Sequence, residues 1–153
     1  MTIQQLCTFR VDDLFMGIPA SYVQEVLVHQ QTTRLPLAHE IVRGLINLRG
    51  EIVTTICMRR RMGMDPLPEG ELPMNIVIQI EDESVSLLVD MIGDVIDVTS
   101  DSFELPPDTI APDVRNVIVG VYKLDRELLL ALDPKRAIEI PATEPATAMT
   151  LKS

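Results

Sequence analysis

The chain has 153 residues, 46% of them hydrophobic, which is enough to bury one sound core and too apolar for disorder over most of its length. Aromatic residues are only 3% and Trp is absent, so the core must come from Val, Ile, Leu and Met, and stacking platforms for bases or sugars are disfavoured. A formal net charge of −10 repels polyphosphate and argues against a nucleic-acid role.

The opening MTIQQLCTFRVDD has neither a basic start nor a hydrophobic signal core, and no apolar run approaches the ~18 residues that span a bilayer. The expectation is a cytoplasmic protein without direct membrane insertion. Cys7, Phe9 and Val11 alternate with Thr8 and Arg10, which predicts a strand, and Asp12-Asp13 predicts a hairpin turn after it. Residues Pro19 to Leu27 place Tyr22, Val23, Val26 and Leu27 on one face of a short helix. His29 and His39 flank a polar loop, where isolated histidines are surface residues without chemistry.

Residues 42–53 read VRGLINLRGEIV, with Gly44 and Gly50 bracketing Leu45-Ile46-Asn47-Leu48-Arg49. A P-loop needs four residues between its glycines and then Lys-Ser/Thr; here five intervene and Glu51 follows, so a phosphate loop fails. Glycine in a strand marks a bend, a bulge or the close approach of another backbone. By alternation Asn47 and Arg49 share one face and Ile46 and Leu48 the other. Two readings of Arg49 stand level: a cation presented on a rigid turn, or one that pairs with a neighbouring carboxylate.

Cys57 follows Thr54-Thr55-Ile56 in an apolar strand, and nothing around Cys7 or Cys57 forms a disulfide framework or a metal knuckle. Both are expected to be buried free thiols. Arg59-Arg60-Arg61 closes that strand, facing water or serving as a handle for an acidic partner. The irregular segment Asp65 to Pro73 divides the chain into two strand-rich halves, each with about five candidate strands. In the second half Ile76, Ile78 and Ile80 share a face, as do Val85, Leu87, Val89 and Met91, with a turn at Glu81-Asp82-Glu83. The series Asp90, Asp94, Asp97, Asp101 lacks the ligand spacing and central Gly of a calcium loop and reads as a solvated strand edge. Val117, Val119 and Val121 precede a turn at Asp125-Arg126 and the apolar run Leu128 to Leu132. Asp133-Pro134 then opens a brief helix, as N-cap Asp and first-position Pro.

At this point the residues resemble a family. VRGLINLRGEIV is similar to the most characteristic segment of the CheW-like chemotaxis coupling domain. Tyr22-Val23-Gln24-Glu25-Val26 resembles that family's short helix and its Val-x-Glu-Val/Ile ending. Arg59 with Met62-Gly63 fits Leu-Arg-x-x-Leu-Gly with Met at both Leu places, and Leu88 to Val95 matches the Leu-Val-Asp segment. Pro106-Pro107, Gly120-Val121 and Leu132-Asp133 follow in the family's order. The chain departs at Thr54-Thr55-Ile56-Cys57-Met58, where the family usually shows Pro-Val-x-Asp-Leu.

The resemblance implies an all-β fold of two packed five-stranded SH3-like barrels with short helices, one domain over residues 1–140, and a flexible tail over 141–153. It implies a stand-alone, non-enzymatic adaptor needing no cofactor or metal, in the cytoplasm at receptor arrays on the inner face of the membrane. Its implied partners are the CheA-like regulatory domain of a histidine kinase, the cytoplasmic tip of a methyl-accepting chemoreceptor, and other CheW-like domains in rings. The contact residues carried over are Val23, Glu25, Val26, Val42, Gly44, Asn47, Leu48, Arg49 and Gly50. Arg49 is the first choice for relaying receptor state, and Gly44 serves by letting a partner backbone approach. Two rivals stand: a CheW-like adaptor outside flagellar chemotaxis (surface sensing, pilus motility or second-messenger control), and a small β-barrel enzyme using Cys57 with His29 or His39.

Overall fold

A computed structural model describes residues 2–140; the tail expectation for 141–153 lies outside the described residues. Eleven strands form two sheets. The first contains β1 (Ile3–Val11), β2 (Leu14–Pro19), β8 (Met91–Thr99), β9 (Phe103–Glu104), β10 (Ile118–Lys123) and β11 (Leu128–Leu132), in the order β8-β1-β2-β11-β10-β9. The second contains β3 (Val23–Leu27), β4 (Val42–Leu48), β5 (Glu51–Cys57), β6 (Met74–Ile80) and β7 (Glu83–Val89), in the order β3-β6-β7-β5-β4. Three short helices, α1 (Met58–Arg61), α2 (Pro112–Arg115) and α3 (Pro134–Ile138), complete the described residues.

The all-β expectation of two packed units holds, but the division of the chain does not. The segment 65–73 lies between β5 and β6, inside the second sheet, and the first sheet draws strands from both ends of the sequence. The reason is the parallel pairing of β2 with β11, which sets Met16 beside Leu130. Hydrophobic alternation reports which face a residue takes, not which distant strand it pairs with.

Each unit has its own small core, and a larger one joins them. Phe9, Met16, Ile18 and Leu130 from the first sheet pack with Ile56, Ile76, Ile78 and Leu87 from the second. Leu6, Val98, Tyr122, Leu129 and Ala131 fill the first sheet, and Ile46, Leu48, Val53 and Val77 the second. This explains the unbroken run in β11. Leu130 and Leu132 face the shared core while Leu129 and Ala131 face the inner one, so from Leu129 onward neither side of the strand meets water.

The helix expected over Pro19 to Leu27 is corrected: only Ala20–Tyr22 makes a single 3-10 turn, and Val23–Leu27 is strand β3, paired antiparallel with β6. The spacing of Val23, Val26 and Leu27 suits a helix, but β-branched valines beside an open strand of Ile76, Val77 and Ile78 gain more from ladder pairing. The predicted turns are present. Asp12 has φ 54°, and Glu81 and Asp82 have φ 49° and 67°, as two-residue hairpins of right-handed twist require. α3 starts as its sequence states, with Asp133 Oδ1 accepting from the Lys135 and Arg136 N–H groups at 3.1 and 3.3 Å.

Candidate functional site

The glycine-bearing segment forms the β4–β5 hairpin, and its two Arg-Gly pairs have different tasks. Arg49 and Gly50, with φ 50° and 88°, are the two central residues of the hairpin turn. Asn47 Oδ1 accepts from the Gly50 N–H at 2.9 Å and locks the turn. Arg43 is the extra residue of a β-bulge between the Val42–Ile56 and Gly44–Thr55 pairs. Gly44 has φ 146°, and a Cβ there would run into the Thr33 carbonyl. Thr33 and Leu45 exchange backbone hydrogen bonds of 2.8 and 2.7 Å across this point. The backbone that comes close to Gly44 is thus the chain's own, not a visitor's, and Gly44 is buried.

The turn presents Arg49 to solvent and to Glu25 on β3. Arg49 Nη2 lies 2.7 Å from Glu25 Oε1, with side-chain exposures of 67% and 24%. The hydrogen bond and the carboxylate's charge raise the guanidinium pKa above its ordinary value. β3 and β4 stand at opposite ends of the second sheet's order, so this ion pair clasps a sheet that has rolled round on itself. Leu27 of β3 packs against the cluster of Ile46, Leu48 and Val53, closing the same seam from inside. Both sequence readings of Arg49 apply: it is presented on a rigid turn and it is paired.

The nine sequence-derived contact residues do not form one patch of side chains. Glu25, Val26, Asn47, Arg49 and Gly50 lie on β3 and the β4–β5 turn. Val42 sits at the other end of β4, about 20 Å away at the usual strand rise. Val23 is half-buried against the shared core, and Leu48 is buried in the small core beneath the turn. Leu48 and Gly44 shape the surface and offer no exposed side chain to it. Sequence reasoning missed Ile52, 60% exposed and opposite Asn47 across the ladder, and Val28, exposed beyond the end of β3. Alternation with buried Val53 was the available signal for Ile52.

Two of the three arginines expected to face water are instead bonded within the chain. Arg59 Nε and Nη2 bond both carboxylate oxygens of Asp90 at 2.9 and 2.7 Å, and Nη1 donates to the Asp65 carbonyl at 3.1 Å. These hydrogen bonds, donated to the Asp90 carboxylate, raise the Arg59 pKa. Asp90 Oδ2 also accepts from the Asp12 N–H at 2.7 Å, tying α1 of one unit to the β1–β2 turn of the other. Arg61 donates to the Arg136 carbonyl at 2.6 Å, and burial lowers its pKa. Asp94 and Asp97 are solvated on edge strand β8, as expected.

Cys57 is buried, whereas Cys7 is only half-buried, with its thiol pKa pushed up by burial. Cys57 and His39 line one cavity, and His39 Nδ1 accepts from the Ile41 N–H at 3.2 Å. His29 does not line it. Among the described residues, no group of three His, Cys, Asp or Glu gathers as a metal site, and no helix is long and apolar enough to cross a membrane.

The sequence profile of the CheW-like domain matches residues 5–141. The chain belongs to the CheW-like domain family. It is 28% identical over 148 residues to the chemotaxis protein CheW of Bacillus subtilis, covering 95% of this chain and 93% of that protein. It is 29% identical over 133 residues to the chemotaxis protein CheW of Treponema pallidum, covering 84% and 78%. Among solved structures, the scaffolding protein TtCheW of Thermoanaerobacter tengcongensis superposes with a TM-score of 0.78 at 25% identity, over 86% of this chain and 90% of that one. Arg59 and Asp90, which lie in two separate segments that carry the sequence resemblance, meet in space as one ion pair.

Proposed function

We propose that this CheW-like protein is a non-enzymatic adaptor of a chemosensory array, joining the cytoplasmic tip of a methyl-accepting receptor to the regulatory domain of a histidine kinase. The relatives named as chemotaxis and scaffolding proteins support the class of function. The observation that carries the site is the Arg49–Glu25 clasp on a rigid hairpin, flanked by exposed aliphatic side chains. Val26 is 47% exposed and Ile52 is 60% exposed on elements that bear the ion pair. Exposed aliphatics with a charged rim are the usual composition of a protein-docking surface. The clasp is a contact that a partner can break or keep, because a solvent-exposed ion pair has little energy of its own to resist rearrangement.

The contact surface proposed is Glu25, Val26, Asn47, Arg49 and Ile52, with Val23 at its margin, Gly44, Leu48 and Gly50 holding its shape, and Val42 outside it at the far end of β4. The test is calorimetry of the purified protein with the regulatory domain of its neighbouring kinase. Saturable binding that Ile52→Asp weakens at least about tenfold supports the surface. Absence of binding by the folded wild type rejects the kinase as partner. Gly44→Asp is a poor probe, because its side chain would displace Thr33 before any partner arrived.

A further inference from the structure

At the far end of β4 from Arg49, a cavity of about 290 Å³ opens between the loop before β4, the end of β5 and α1. Its polar lining is Arg34, His39, Glu40, Arg43, Cys57 and Arg60, and aliphatic side chains complete the wall. In a chain of net charge −10, three arginines line one space, and among the described residues none of the three has a carboxylate within ion-pair distance. The β4 bulge adds Arg43 as an extra residue at the rim of this cavity. His39 has Nδ1 committed as an acceptor from Ile41, so its neutral ring offers Nε2–H as a donor. Cys57 brings no carboxylate to the wall.

We propose that this cavity binds a small phosphate monoester. Three guanidiniums against the single carboxylate of Glu40 leave a surplus of two positive charges. A phosphate monoester carries about −1.5 to −2 at neutral pH, which matches that surplus. Planar guanidinium forks bind its oxygens two at a time. A volume of about 290 Å³ has room for a phosphate group with a short carbon body against the aliphatic wall.

The test is calorimetry on the full chain at constant ionic strength with glycerol 3-phosphate, inorganic phosphate, succinate and a short phosphoserine peptide. Expected is saturable binding of glycerol 3-phosphate, tighter than that of the other three probes. Arg43→Gln and Arg60→Gln should each weaken it at least about tenfold. Cys57→Asp should abolish it by setting a fixed carboxylate among the guanidiniums. Circular dichroism and urea midpoints would establish that each variant is folded. No binding of glycerol 3-phosphate, or equal binding by wild type and folded arginine variants, overturns the site. Succinate or inorganic phosphate binding as tightly overturns the ester assignment, and preference for the peptide overturns the assignment to a free small molecule.

Discussion

Two arginine–carboxylate pairs in this protein look alike in sequence and differ in what surrounds them. Arg59–Asp90 lies at the junction of the two units, with side-chain exposures of 15% and 17%, bonded through two donors and two acceptors, and its carboxylate also holds the Asp12 N–H. Arg49–Glu25 is a single contact at the surface, with the arginine mostly in water. A guanidinium removed from solvent and met at both forks fixes geometry, and losing its partner strands a charge. A guanidinium left in solvent can trade one acceptor for another at little cost, which suits a contact that has to change when a partner binds. One pair is architecture and the other is free to exchange its partner.

The largest effect expected is at the junction. Arg59→Ala should lower stability by about 3 kcal/mol in urea unfolding, since it leaves Asp90 half-buried without its charge partner. Asp90→Asn should act similarly, and the double variant should lose much less than the sum; simple additivity would mean that the two residues act independently. Gly44→Ala comes next, at about 2 kcal/mol, because φ 146° is unfavourable for a side chain and Thr33 has to move. Gly50→Ala should cost only about 1 kcal/mol by the same measurement, as its φ of 88° is strained but nothing lies within 4 Å of the new methyl. A larger loss at Gly50 than at Gly44 would contradict the bulge account. Smallest in stability is Arg49→Ala, whose unfolding midpoint should match wild type while kinase control in a reconstituted array falls. Retained control would reduce the clasp to surface decoration, and recovery by the swapped pair Arg49→Glu with Glu25→Arg would show that the contact itself matters.

Local features of this fold were readable in the sequence because they depend on near neighbours. Strand alternation exposed Phe9 and Val11, Ile76 and Ile78, and Val85 and Leu87 as core, and the turn chemistry of Asp12-Asp13 and Glu81-Asp82 marked two hairpins. What escaped depends on distant partners. β3 resembles a helix until β6 lies beside it, and Arg59 resembles a solvated charge until Asp90, 31 residues on, is brought against it. The site was legible in part for the same reason. The Arg49–Gly50 turn could be located from its own residues, whereas Glu25 as the partner of Arg49 depends on a sheet closing through β6, β7 and β5. The arginine-lined cavity had no local sign, since the Arg59-Arg60-Arg61 run divides between two environments: Arg59 to the junction and Arg60 to the cavity.

The parallel pairing of β2 with β11 has a consequence for how the protein is made. Strands β3 to β7 occupy one continuous stretch of chain, so the second unit can assemble as soon as Val89 has left the ribosome. The N-terminal hairpin cannot: Gly17 must wait for Ala131, more than 110 residues later. At about 5–20 residues per second, that is a delay of roughly 6–23 s. Until Val89 is made, β1 and β2 have no shared core to rest on; from then until β11 arrives, Phe9, Met16 and Ile18 can rest on the half of that core that the second unit supplies. The early-folding unit thus shelters the first strands until the last ones arrive.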